Sequence, residues 1–287
     1  MVQSTVPKPV SGQTPANHQK PKHIAILDTD VTVPAVQSTY GKYYSAQYIK
    51  LLTAAASRLD LAGRVEFSTW DVVSGAYPNP ADVDAILITG SIAAAYDTDP
   101  WVIKLGAFIE EVYAQHTGVR MFGTCFGHQL IGQVLLGPHG AVVERDPNGY
   151  EFGVQTINLN HKLIEDFPCL KKLGRVEEKD THGLRLQMCH GDHVALPKPS
   201  GKLPGSWINI GGSAHCQVQG LYEPSRVLTI QPHFECDQPI MEETIKYFYT
   251  PEKGFSPEFL QKAFDGTRKE DDAGIAAEWV LRFLISV

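Results

Sequence analysis

The chain is poor in several features, and each shortage removes a class of protein. Its five cysteines, Cys125, Cys169, Cys189, Cys216 and Cys236, are odd in number and show no framework-like spacing. That excludes a disulfide-stapled scaffold and points to a reducing compartment. No continuous apolar run approaches the roughly 18 residues of a membrane-spanning helix, and the first 22 residues lack the apolar core of a signal peptide. A cytoplasmic location is therefore expected. Lys and Arg are not clustered, and the formal net charge is −7, which argues against a nucleic-acid or anionic-membrane surface. There is no Gly-x-x-x-x-Gly-Lys-Ser/Thr run to cradle a nucleotide, no internal repeat and no heptad pattern.

What is present is an ordinary globular composition, 43% hydrophobic and 20% charged over 287 residues, enough to bury a core without staples. Residues 1–21 are rich in Pro, Ser, Thr, Gln and Lys, carry no acid or arginine and show no periodicity. They read as a flexible tail, and residues 22–287 as a single domain.

Within that domain, His23 to Asp28 has the pattern of a buried strand, and Tyr43 to Leu59 repeats apolar residues at helical spacing. Val65 to Trp70 alternates as a strand, and Ala85 to Ile88 is a further apolar run. Asp99-Pro100 should start a helix that runs to about Gln115, with the aspartate as N-cap and the proline in the first turn. Strands alternating with helices predict an α/β fold, with an open, mostly parallel sheet and helices on both faces. Sites in such sheets form beyond the carboxyl ends of the strands.

Arg120 to Gly137 is the stretch around which the rest is arranged. An apolar run ends at Gly123, and a helical pattern with apolar residues at 130, 131, 134 and 135 begins immediately after Cys125. The Gly-x-Cys-x-Gly spacing therefore predicts a strand, a tight turn and a helix, with the cysteine on the turn. Flanking glycines suit a nucleophile held on strained backbone above a sheet. A lone cysteine is more often a small buried hydrophobe, but this one stands at a helix N-terminus, where the dipole favours a thiolate. The N–H of Phe126 is placed to stabilise an oxyanion.

A partner lies in Pro232-His233-Phe234-Glu235, after the strand-like run Val227 to Ile230. If the strand continues, His233 and Glu235 project to the same side, as a base and the carboxylate that orients it would. With Cys125 they make a nucleophile, base and orienter.

Gly-Thr-Cys-Phe-Gly-His-Gln followed by a distant His-x-Glu resembles the class I glutamine amidotransferase domains, including their stand-alone members and the similar γ-glutamyl peptidases. The resemblance runs from about residue 22 to the C-terminus and implies the flavodoxin-like fold of that family. It also implies the triad Cys125, His233 and Glu235, with oxyanion donors at Phe126 and in the Gly90 region. The family usually shows His-Pro-Glu; here Phe234 replaces the proline and leaves the triad spacing intact. Substrate contacts are implied at Ser91, Tyr96, Gln129, His190, Asp192 and His193, with Asp97 near the pocket. Glu151 to Leu159 alternates and reads as a sheet-edge strand, Leu184 to Val194 as a strand ending in a polar cluster, and Ser213 to Gly220 as a strand with its polar face toward the pocket. Cys189, His190 and His193 offer metal-ligand types without a second close ligand pair, so no metal and no cofactor are expected. Residues 197–212 read as a mobile loop. The segments 239–249, 257–264 and 273–284 read as helices that serve packing.

The expected activity is hydrolysis of a γ-glutamyl amide through a thioester. The chain is expected to act as a stand-alone γ-glutamyl peptidase or as a specialised biosynthetic amide hydrolase or acyl transferase on a small-molecule substrate. One alternative is a glutaminase subunit that delivers ammonia to a separate synthetase. Another is a non-catalytic binding module of the same fold.

Overall fold

The computed structural model describes residues 20–176, 180–196 and 201–286. The tail expected at 1–21 falls almost wholly outside the described residues, as do positions 197–200 of the expected mobile loop.

The first half alternates strands and helices. β1 (Lys22–Asp28), α1 (Pro34–Tyr40), α2 (Ser45–Arg58), β2 (Val65–Asp71), β3 (Ala85–Ile88), α3 (Pro100–Gln115), β4 (Arg120–Thr124) and α4 (Phe126–Leu136) follow in order. The second half is richer in strands: β5 (Val142–Arg145), β6 (Glu151–Leu159), α5 (His161–Asp166), β7 (Arg175–Val176), β8 (Thr181–His190), β9 (Asp192–Ala195), β10 (Ile208–Asn209), β11 (Gly211–Gly212), β12 (Gly220–Glu223) and β13 (Val227–Ile230). α6 (Gln238–Phe248), α7 (Pro257–Thr267) and α8 (Ala273–Ile285) complete the chain.

The main sheet has seven strands in the order β10-β12-β13-β4-β3-β1-β2. Five of them, β13 to β2, run parallel, while β12 and β10 extend the sheet antiparallel. Its two faces are covered by different helices because alternate residues of β1 point opposite ways. Ile24 and Ile26 pack with Tyr48 and Leu52 of α2 and Trp279 of α8, whereas Ala25 and Leu27 pack with α3 and α4. Both faces are dry, which explains why β1 and β3 read as continuous apolar runs.

Several expected elements differ. The 43–59 helix is preceded by the separate short helix α1. Asp99 precedes α3, but its side chain makes no capping hydrogen bond. β6 is not an edge strand: it lies inside a second, four-stranded antiparallel sheet, β11-β6-β8-β7, paired with β8 along its length. The expected single strand at 184–194 is two, since the chain breaks at Gly191 and β9 leaves to pair with β5. Ser213 to Gln219 forms turns, with Gln219 Nε2 and the Cys216 backbone N–H both donating to Ser213 Oγ. Polar alternation there reflects a hydrogen-bonded turn rather than a strand. The loop expected at 197–212 contains the short strands β10 and β11.

Candidate active site

Cys125 sits where β4 meets α4, with φ 47° and ψ −108°. A non-glycine residue in that region carries strain of order 1–3 kcal/mol, tolerated where the surroundings fix it. The flanking glycines do that. A Cβ on Gly123 would stand 2.6 Å from the carbonyl of Gly127, and one on Gly127 would stand 2.5 Å from Ile88 O. No other residue allows the turn to fold so tightly against β3. The Gln129 N–H donates to Cys125 O, so α4 begins directly at Cys125, and the N–H of Phe126 falls in the first turn, which has no intrahelical acceptor. Phe126 is buried and packs on Trp101 with ring centroids 5.4 Å apart.

β13 ends at Ile230, so His233 and Glu235 are not on the continuing strand that the spacing suggested. They lie on a loop fixed instead by the His233 N–H donating to Gln187 O of β8 at 2.8 Å. The geometry still brings them together, with Nδ1 of His233 and Oε1 of Glu235 2.6 Å apart. Glu235 is almost fully buried. Burial alone would push the imidazole toward neutrality, but the charges of Glu235 and Cys125 outweigh it and hold His233 well above its ordinary value. Phe234, in place of the family's proline, is buried edge-on against Tyr48 and Phe122, with centroids 5.3 and 6.1 Å away. The hydroxyls of Tyr48 and Thr124 bond beneath the elbow.

Gly90 follows β3 and faces the same point. A Cβ there would lie 2.8 Å from His233 Cε1 and 3.4 Å from Cys125 Cβ, so the backbone of the loop approaches both side chains as only glycine permits. Thr29 Oγ1 donates to Gly90 O at 2.9 Å. Asp30 Oδ2 accepts from Ile92 N at 2.9 Å and from Ser91 Oγ at 3.3 Å. The loop is thus pinned from β1's carboxyl end.

A cleft of about 480 Å³ opens beside Cys125, bordered by Ser91, Tyr96, Gln129, His190 and Asp192. Tyr96 donates to Asp192 Oδ2 at 3.0 Å, and Gln129 Nε2 donates to Asp192 O at 3.1 Å. Nδ1 of His190 donates to Asp192 O, and Nε2 of His190 lies 3.0 Å from Glu151 Oε2. Glu151 also accepts from Ser213 and Gln219. Together with His190 these bonds outweigh burial and hold its carboxyl below the usual range. Five of the six anticipated substrate residues therefore share one cleft. His193 is not among its lining residues and sits instead 3.5 Å from Asp146.

The C-terminal helices do more than pack. Phe248 and Tyr249, with Lys253 and Phe255 just beyond, form one wall of the cleft, and Met241 and Thr244 line a smaller recess of about 50 Å³ that reaches Cys125, His233 and Glu235. Tyr150 faces them, its ring 5.1 Å from Phe255 and 5.5 Å from Tyr249. The run of aromatics at 247–249 and 255 was the available signal; helical periodicity drew the reading toward packing instead.

Comparison with known proteins agrees with this architecture. No protein-family model matches the chain. A protein of Saccharomyces cerevisiae named "Putative glutamine amidotransferase" is 31% identical over 229 residues, 77% of this chain and 82% of its own. A Schizosaccharomyces pombe protein named "Putative glutamine amidotransferase-like protein" is 26% identical over 92% of this chain and 98% of its own. Gamma-glutamyl peptidase 2 of Arabidopsis thaliana is 26% identical over 71% of this chain and 76% of its own. Among solved structures, a glutamine amidotransferase of Thermotoga maritima superposes with a TM-score of 0.60 at 18% identity, covering 93% of this chain and all of its own. The fold and the elbow define an α/β protein with a cysteine-bearing strand–turn–helix. The chain belongs to the class I glutamine amidotransferase-like family.

Proposed function

We propose that the chain hydrolyses γ-glutamyl amides through a thioester on Cys125, as a stand-alone γ-glutamyl peptidase or a specialised amide hydrolase or acyl transferase. The observation that carries this is the strained Cys125 at the head of α4, facing a histidine whose Nδ1 is 2.6 Å from a buried carboxylate. The thiolate attacks the γ-carbonyl, and the N–H groups of Phe126 and the Gly90 loop take up the oxyanion charge, each such donor contributing about 2.7–4 kcal/mol to transition-state stabilisation. His233, protonated because Glu235 and Cys125 favour the imidazolium, delivers its proton to the leaving amine. The neutral imidazole then takes a proton from water as the water attacks the thioester, releasing glutamate and the free cysteine.

The width of the cleft favours a leaving group larger than ammonia. Glutamine would leave most of the 480 Å³ bordered by Phe248, Tyr249, Phe255 and Tyr150 empty, whereas the γ-glutamyl peptide or conjugate of a bulkier amine would cover those rings. The similarity to gamma-glutamyl peptidases supports the same choice. The test compares glutamine, glutathione and S-substituted glutathiones with the purified chain, without ATP or a partner, by measuring liberated glutamate, with Cys125→Ser as the inactive control. A higher kcat/KM for a conjugate than for glutamine is expected. A preference for glutamine, or cleavage only after a second protein is added, would replace this reading with the amidotransferase subunit. Failure of a glutamine-like electrophile to label Cys125 at any pH would leave only a binding module.

A further inference from the structure

Outside the cleft, the structure assembles a group of side chains that the proposed reaction does not use. Asp146 follows β5, His193 lies on β9, and Cys216 stands in the turn before β12. One ligand atom from each, a carboxylate oxygen, an imidazole nitrogen and the thiol sulfur, lie within 4.8 Å of one another. Asp146 and Cys216 are buried, and His193 is partly exposed, although its Nε2 is not. The β5–β9 ladder sets Glu144 opposite His193, and the Asp146 N–H donates to Gly191 O at 2.8 Å, which brings the aspartate alongside.

Among the described residues two buried polar atoms of this group lack hydrogen-bond partners, while Cys216 Sγ donates to Val218 O at 3.5 Å, a bond the thiol gives up when it loses its proton. Asp146 Oδ1 accepts from the Asn148 N–H, but its buried Oδ2 receives no hydrogen bond. Nε2 of His193 is likewise buried without a partner, and Glu144 Oε1 stands 3.8 Å from it, beyond hydrogen-bond reach. A buried carboxylate oxygen left without a donor is expensive unless a cation satisfies it. His193 Nδ1 is 3.5 Å from Asp146 Oδ2, and His215 Nε2 is 3.8 Å from the same oxygen. Ligands held about 2.0–2.3 Å from a tetrahedral zinc lie roughly 3.3–3.8 Å from one another. Two of the pairs already have that spacing.

We propose that Asp146, His193 and Cys216 form a zinc site, with His215 able to complete the tetrahedron once its Nε2 gives up the proton it donates to Gly149 O at 3.2 Å. A thiolate, imidazole and carboxylate set suits zinc better than calcium or magnesium, which take oxygen ligands. On binding, the Cys216 thiol releases its proton to solvent and the sulfur bonds the metal, with no change in oxidation state. The ion ties the end of β5, the β9 strand and the 213–219 turn together. Ser213 and Gln219 of that turn hold Glu151, which holds His190 in the cleft wall, so the metal would act as a staple behind that wall. The sequence hid this site because its ligands come from separate segments. Cys189 and His190, which stand nearest His193 in sequence, turn toward the cleft instead.

The test uses the full chain after dialysis against chelator and titrates zinc(II) against a chromophoric competitor, then substitutes cobalt(II). One equivalent is expected to bind, to raise the thermal midpoint, and to give with cobalt a tetrahedral spectrum with a sulfur-to-metal charge-transfer band. Cys216→Ser should abolish that band, and His193→Ala, at a partly exposed position that keeps the fold, should weaken binding by at least about 100-fold. Because His233, Glu235 and Cys236 form a second cluster, Cys236→Ala serves as the control and should keep the stoichiometric site. Absence of stoichiometric binding, or binding lost with Cys236→Ala and kept with His193→Ala, would overturn the assignment. Neither result would bear on whether Cys125 cleaves γ-glutamyl amides.

Discussion

Gly90→Ala separates the geometry of the proposed oxyanion loop from the chemistry of the triad. Gly90 is not among the residues with positive φ, so alanine can adopt its backbone angles without strain, and the N–H remains. What changes is space: the new methyl would stand 2.8 Å from His233 Cε1, where ordinary contact begins near 3.4 Å. The imidazole cannot simply swing aside, because Nδ1 is held to Glu235 at 2.6 Å and its backbone N–H to Gln187 at 2.8 Å. Either the ring or the loop must retreat by roughly half an ångström. Misplacing reacting groups by about 1 Å costs on the order of 100-fold, so a shift of this size predicts a loss of roughly 10- to 100-fold in kcat, with a smaller change in KM. Steady-state release of glutamate from the preferred conjugate measures it, and thermal unfolding checks that the fold survives. Gly118→Ala, where a Cβ would meet nothing within 4 Å, is the control. A Gly90→Ala enzyme within about threefold of wild type in kcat would show that this loop does not face the reacting carbonyl.

Other perturbations probe the base, the sheet and the packing beneath them. His233→Ala should abolish turnover, while Glu235→Gln should retain at least about tenfold more activity and move the alkaline limb of the pH–rate profile down, since the charge that raises His233 is gone; an unmoved limb would remove Glu235 from that role. The raised His233 also contributes stability that is complete below its ordinary value of 6.5 and is lost as the pH rises through its folded value, a slope that Glu235→Gln should flatten. Asp28, buried at the end of β1, has its carboxyl raised from 3.8 to about 6 by burial, with Ser45 opposing and Asp71 assisting. Its stabilising protonated form is complete below pH 3.8 and lost as pH rises through about 6, so the ionised group costs about 3 kcal/mol above that window. Asp28→Asn, which can still accept from the Ser45 N–H, should therefore raise stability at pH 7.5 in urea unfolding, and a fall would refute the assignment. Phe234→Ala should cost about 3–5 kcal/mol and lower kcat together with the thermal midpoint; unchanged kcat at a lowered midpoint would separate packing from positioning.

The sequence disclosed what short-range patterns carry. The elbow was legible because its Gly-x-Cys-x-Gly spacing lies within five residues, although only the Gly123 clash arises inside the turn and the Gly127 clash is with Ile88 of β3. β1 and β3 were legible because a strand dry on both faces is a plain apolar run. What failed depends on distant partners. β6 alternates like an edge strand, yet β8 and β11 flank it, and no residue of β6 announces that. Ser213 to Gln219 alternates as well, but its polar side chains close a turn onto Glu151. Helical periodicity identified α6 correctly and missed that its last turn lines the cleft, since the same aromatic side chain can fill a core or face a substrate.

Phe234 shows how a departure from the family's motif can leave the site intact. A proline between His and Glu fixes its own φ and restricts the residue before it. Such restriction, acting through the unfolded chain, is worth about 0.4–1 kcal/mol. Phenylalanine gives up that stiffness, but its ring is buried between Tyr48 and Phe122, and burying a side chain of that size contributes about 1.5–3 kcal/mol. Packing therefore more than replaces the lost stiffness, and it does so where it matters: Tyr48 is also the residue whose hydroxyl bonds Thr124, one position before Cys125. The histidine loop and the Cys125 turn are thus locked to the same buried side chain, so that His233 is positioned relative to Cys125 by the core of the protein.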